Sequence, residues 1–171
     1  EELNRFDIKN WSLTSDTLSQ RWVDALLKLI LGDQIDALIV MDQVDIAGTG
    51  VVTPWVLKEL KEILSSRRQG GTFWALADSR QGLVGFPQGL TFKMNHQELM
   101  RMMSTSQSDT GTKREPDLAW IDQTALALAE KHGSPVIVSC AERGIRAASP
   151  GGECVNSAAL PVRGPIDIVG A

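Results

Sequence analysis

The chain of 171 residues holds only two cysteines, Cys140 and Cys154, and two histidines, His96 and His132. Two thiols are too few for a secreted disulfide framework and fit a reducing compartment, so a cytoplasmic location is expected. They also lack the further ligands, at the right spacing, of a structural zinc site. Concentrated positive charge is missing as well: 17 Lys and Arg stand against 21 Asp and Glu, a formal charge of −4. No basic stripe exceeds the pair Arg67–Arg68. Nucleic acid is therefore disfavoured as the main partner, because neutralising phosphates needs a concentrated basic footprint. Long apolar runs are absent too. The longest, Ala25 to Leu31, is interrupted by Lys28 and falls far short of a bilayer span, so no membrane partner is expected. Glu1–Glu2 carries the wrong charge to open a secretory leader. The sequence has no G-K-S/T triplet, no G-x-S-x-G elbow and no internal repeat, which removes the Walker A and Ser-hydrolase readings.

What is present is an ordinary globular composition, 43% apolar and 22% charged. A chain of this length can bury about 70% of its unfolded surface, so residues 1–171 are expected to form one domain. Ser15 can cap a helix with Leu18, Trp22, Ala25, Leu26, Leu29 and Ile30 on one stripe, stopped by Gly32. Ala37 to Met41 reads as a short buried strand ending at Asp42. A loop of small residues, Ala47-Gly-Thr-Gly50, leads to Thr53-Pro54 and a second helix with Val56, Leu57, Leu60, Ile63 and Leu64 inward. Strands are expected over Thr72–Ala77 and Leu90–Met94, with a short helix capped by Asn95. Ser104 to Pro116 is polar and reads as a surface loop; Asp117 to Lys131 is a helix closed by Gly133. Pro135 to Ser139 is a further strand, and Pro150-Gly-Gly152 a hairpin-type turn. This alternation predicts an α/β fold, a mostly parallel sheet between two helical layers. Ligands of such sheets sit at the carboxyl ends of the strands. Those ends carry Asp42, Asp78-Ser-Arg80, Asn95 to Glu98, and Ser139 to Gly144.

Each of these signals has a plain structural reading beside it. Gly48-Thr-Gly50 invites a dinucleotide loop with Asp78 on the ribose, but Thr53 stands where the third glycine belongs. A flexible strand-to-helix loop explains it as well. His132 lies in the last turn of a helix, where partial positive charge suits the dipole. His96 reads as a solvated neighbour of its cluster. Asn95 and Glu98 share a face at a helix start and could offer oxygens to hydrated Mg²⁺, which is usually held by one or two carboxylates plus substrate phosphates. The plain reading is an N-cap with a favourable Glu in the first turn. Ser139 to Gly144 could present a hydroxyl and backbone N–H groups to a nucleotide, or be an ordinary turn.

Taken in order, Val40-Met-Asp42, Ala77-Asp-Ser-Arg80, Lys93-Met-Asn-His-Gln-Glu98, Val138-Ser-Cys-Ala-Glu-Arg-Gly144 and Asp167-Ile-Val-Gly-Ala171 resemble the motif series of the ribokinase-like (PfkB) carbohydrate kinases. The likeness runs from about Arg5 to Ala171, and within the family it looks closest to bacterial heptose-phosphate kinases. It implies a ribokinase-like three-layer fold, here incomplete, and transfer of a phosphoryl group from ATP to a sugar or sugar-phosphate hydroxyl. It implies that Asn95 and Glu98 organise Mg²⁺ and phosphates through water, and that Ser139, Glu142 and Gly144 border the nucleotide. Asp42 and Gly50 would lie on the substrate side, and Gly170 and Ala171 would begin an anion hole at a helix N-terminus. The family's general base would follow Ala171, so this chain by itself is expected to be inactive. A homodimer of the parent protein fits the resemblance.

Overall fold

A computed structural model describes residues 9–67, 73–80, 82–103, 116–161 and 164. Most of the expected 104–116 loop, and Gly170 and Ala171, lie outside these residues. Helix α1 (Asp16–Leu31) starts at Ser15, whose Oγ accepts the Leu18 N–H at 3.3 Å. Its buried residues are Ser19, Val23, Leu26 and Ile30, while Leu18 and Leu29 are exposed. The inward stripe is thus rotated from the expected one, because a polar Ser19 faces Thr53 and Leu18 is left at the rim. Strand β1 (Ala37–Asp42) follows, then α2 (Pro54–Arg67). Thr53 caps α2 as expected: its hydroxyl accepts the Val56 N–H at 3.2 Å, and Pro54 occupies the first turn, where its missing N–H costs nothing.

Next come β2 (Trp74–Ser79), β3 (Thr91–Asn95), α3 (His96–Met103), α4 (Leu118–His132), β4 (Val136–Ser139), a single 3-10 turn over Ala141–Arg143, and the hairpin β5 (Ile145–Ala148) and β6 (Cys154–Ser157). Gly133 closes α4 in the left-handed conformation, φ 62°, as the sequence predicts. The hairpin turns at 149–153, around Pro150-Gly-Gly152.

The six strands lie in the order β1-β2-β3-β4-β5-β6, the first four parallel and the last two antiparallel. The architecture is α/β with a mostly parallel sheet, as expected. Of the two helical layers expected, the described residues supply one. Parallel crossovers are right-handed almost without exception, so strands added one after another in a single direction put their connections on the same face. Burial agrees. Val40, Ala75, Ala77, Phe92, Met94, Val136, Val138 and Ala148 share one face and join Ile30, Leu60, Leu99, Ile121 and Ala125 of the helices in one apolar core. The alternate residues point the other way: Ile39, Met41, Trp74, Ile145 and Val155 are 47–66% exposed.

Candidate functional site

The carboxyl ends of the parallel strands form one edge, and most of the expected site residues stand on it. Asn95 and Ser139 are register partners at the ends of β3 and β4. Asn95 turns the chain directly into α3. Its Oδ1 accepts the Glu98 N–H at 2.8 Å, and Glu98 Oε2 accepts the Asn95 N–H at 2.7 Å. This is a capping box with Asn in the capping position, two otherwise orphaned N–H groups satisfied reciprocally. Ser139 is half-buried and its hydroxyl reaches the Met94 carbonyl at 3.5 Å.

The turn after β4 is tight. Cys140 N–H donates to Gly144 O at 2.8 Å, and Gly144 N–H to Ala141 O at 3.0 Å. Ala141 sits at φ 50°, a region that costs an L-residue about 1–2 kcal/mol. Gly144, φ 84°, is required by the chain itself: a Cβ there would fall 2.0 Å from Ser157 O and 2.9 Å from Ala159 N. Glu142 is exposed, and the Arg143 guanidinium donates to Pro116 O at 2.8 Å.

Asp42 and Ser79 are register partners at the ends of β1 and β2, on the core-facing side. Both are buried, at 8% and 3% exposure, and Ser79 Oγ donates to Asp42 Oδ2 at 3.1 Å. Asp42 Oδ1 is enclosed and has no hydrogen-bond partner among the described residues. The Asp42 carbonyl accepts the Arg80 N–H at 3.0 Å, tying the two strand ends together. On the opposite side of the sheet Asp78 and Lys93 meet across β2 and β3 at 2.8 Å. Gly50 is not on this edge group; it lines an apolar cleft of about 270 Å³ beside α1, with Leu18, Trp22 and Val51. Its carbonyl accepts the Thr14 hydroxyl at 2.7 Å.

The histidines differ from their sequence reading. His96 is buried, with Nδ1 unpartnered among the described residues. His132 packs its ring on Phe92, centroids 4.9 Å apart, and burial followed by the charge of Lys131 holds its pKa below the usual 6.5. Desolvation, not the helix dipole, governs it, so the neutral ring is favoured. Cys140 and Cys154 are free thiols, both pushed up chiefly by burial. Sequence reasoning did not single out Lys9 and Asp45, which join at this edge with Arg80. Their only local signal is charge in a loop; the contact is made by residues 36 apart.

Among the described residues no three His, Cys, Asp or Glu side chains cluster as a metal cage. Glu98 and Asn95 therefore suit Mg²⁺ only as it is commonly held, hydrated and shared with substrate phosphates. No described helix is long and apolar enough to cross a membrane.

No family model matches the chain, and no curated protein matches it. Solved structures do. Phosphofructokinase-2 from Escherichia coli in complex with fructose-6-phosphate matches with a TM-score of 0.57 at 14% identity, covering 90% of this chain and 46% of that one. The same enzyme with substrates and products gives 0.56 at 16% identity, covering 88% and 44%. Its tetrameric inhibited form gives 0.59 at 17% identity, covering 88% and 45%. What the likeness shows is the fold: the chain has the α/β architecture of these sugar-phosphate-binding structures over nearly all of its own length. The particular likeness is to phosphofructokinase-2, and the chain spans less than half the length of those structures.

Proposed function

We propose that residues 1–171 form the nucleotide-side core of an ATP-dependent carbohydrate kinase of the PfkB type, acting on a sugar or sugar phosphate. The observation that carries this reading is the phosphofructokinase-2 architecture, with Asn95, Glu98 and Ser139 adjacent on the ligand-bearing edge of the sheet. In this reading the Asn95 amide and the Glu98 carboxylate, already fixed by the capping box, orient hydrated Mg²⁺ and the phosphate chain. Mg²⁺-ATP supplies the transferable phosphoryl group and neutralises the charge that develops on it. Ser139 offers its hydroxyl, and Glu142 and Gly144 border the nucleotide. Asp42 and Gly50 belong to the acceptor side, and Gly170 and Ala171 begin the anion hole. The heptose-phosphate likeness, a homodimeric parent and a cytoplasmic location belong to the same proposal.

Calorimetry with Mg-ATP tests the nucleotide site: binding lost in Glu98→Gln and Ser139→Ala supports it. A coupled ADP-release assay on the full-length protein should show turnover that depends on a sugar or sugar phosphate; none would overturn the kinase reading. A second reading, a non-catalytic nucleotide-binding module, has one observation in its favour. The edge is internally satisfied, with Asn95 and Glu98 capping each other and Gly144 filled by the chain's own backbone. Mg-ATP binding by a full-length protein that shows no turnover with any sugar phosphate separates the two, in favour of this second reading.

A further inference from the structure

Three separate segments bring charged side chains together at the carboxyl end of β1 and β2. Lys9 Nζ donates a hydrogen bond to Asp45 Oδ2, and Arg80 Nη1 lies 3.8 Å from the other Asp45 oxygen. All three side chains are about half exposed, so the cluster faces solvent. It is nevertheless held in place. The segment after Lys9 is stitched to the 43–50 loop by Asn10 Nδ2 donating to Thr49 O at 2.9 Å, Thr14 N–H to Gly48 O at 2.8 Å and Thr14 Oγ1 to Gly50 O at 2.7 Å. The Arg80 backbone is fixed by its bond to the Asp42 carbonyl.

Among the described residues, then, two cations share the Asp45 carboxylate. At 3.8 Å, Arg80 makes no hydrogen bond to Asp45, which leaves its planar set of donors available for a bidentate acceptor. A dianionic phosphomonoester would match the two cations better than one carboxylate does. The two cations also hold the Asp45 carboxyl below the usual carboxylate range, as a positive environment must.

Position narrows the role. Leu76 pairs with Thr91 and Ala77 with Phe92, and continuing that register sets Arg80 level with Asn95 on the next strand. Lys9 and Asp45 meet Arg80 from the β1 side, so the cluster stands at the ends of the first two strands, while Asn95 and Ser139 end the next two. A phosphate bound there would belong to the acceptor and not to the transferred group.

We propose that Lys9 and Arg80 form a binding site for the phosphate of a phosphomonoester acceptor, with Asp45 occupying it as a built-in competitor until that phosphate arrives. The assignment to an acceptor rests on the kinase reading above; the anion site itself does not.

The test is a titration of the 171-residue chain at 0.15 M salt, followed by calorimetry and by backbone amide shifts. The probes are fructose-6-phosphate, inorganic phosphate and Mg-ATP, used separately. Fructose-6-phosphate should shift the amides around Lys9, Asp45 and Arg80. Asp45→Asn should tighten it about threefold to tenfold, and Arg80→Ala or Arg80→Gln should weaken it at least fivefold. Lys131→Ala, a basic change elsewhere, should leave it unchanged. Binding that is unaltered or weakened in Asp45→Asn overturns the competitor role, and binding indifferent to both Arg80 variants overturns the site. Shifts at Arg80 from Mg-ATP but not from fructose-6-phosphate overturn the acceptor assignment. Absence of Mg-ATP binding at Asn95 and Ser139, with the sugar phosphate still bound at Arg80, defeats the kinase reading and leaves the anion site standing.

Discussion

The two faces of the sheet are built from the same strands and have opposite fates. On the covered face every described position of β2 to β4 is buried, and the large residues Phe92, Val136 and Val138 are fully enclosed. On the other face Trp74, Ile39 and Val155 stay 63–66% exposed, although they are as apolar as their neighbours. The open face is also not uniform. Its apolar residues flank a polar column, Asp78 with Lys93, then Asn95 and Ser139, that ends at the carboxyl edge of the parallel strands. The difference teaches that apolar composition does not fix burial; the direction in which strands are added does. Sheets that are largely parallel are ordinarily covered on both sides, so the open flanks mark surface that this fold normally hides.

Substitutions on the two faces should separate in their cost to stability. The largest effect is expected on the covered side. Phe92→Ala removes a ring that touches His132 and should cost about 3–5 kcal/mol, read from the urea midpoint. A loss below 1 kcal/mol would mean that this face is not the core. At the edge where the two faces meet, Asn95→Ala removes the cap of α3 and should cost about 1 kcal/mol, with helix loss visible by circular dichroism. Ala141→Gly relieves a positive φ and should gain about 0.5–1 kcal/mol in the same denaturation experiment. A loss there would show that the turn does not hold Ala141 in that conformation.

His132 gives a pH-dependent version of the test. Its folded pKa lies below the unfolded 6.5, so the unfolded state binds more protons as the solution acidifies. The stability tied to the neutral ring is complete above about pH 6.5 and is lost as pH falls toward the folded value. Urea midpoints at pH 7.5 and 5.5 should therefore diverge more in the wild type than in His132→Gln. Equal divergence would remove burial as the cause. The smallest effect belongs to the open face: Ile39→Thr should change stability by no more than about 0.5 kcal/mol. A cost near that of Phe92→Ala would mean that the open face is covered in solution.

Much of this was legible from residue order. Ser15, Thr53-Pro54 and Gly133 mark helix ends through local hydrogen-bond chemistry, and the structure puts the ends there. The four parallel strands were legible within two residues, because short β-rich runs between caps leave little choice; of the β5–β6 hairpin only the turn at Pro150-Gly-Gly152 was. The stripe of α1 was not, since Leu18 and Leu29 satisfy the helical period as well as Val23 does; only the neighbouring α2 decides which side turns inward. The site divides the same way. Asn95 and Glu98 meet three residues apart, so their pairing is written in the chain. Asp78–Lys93, Asp42–Ser79 and Lys9–Asp45 join positions 15, 37 and 36 residues apart, and no local pattern announces them.

Residue order alone thus set the helices with their caps and the four parallel strands with the residues that end them, because those follow from backbone hydrogen bonding and the periods of helix and strand. It also carried the ordered motifs that resemble a carbohydrate kinase. Only the tertiary structure decided the order of the strands, and with it which face is buried and which charges become neighbours. Register and crossover direction are set by long-range packing of the whole sheet, which no single stretch of chain contains.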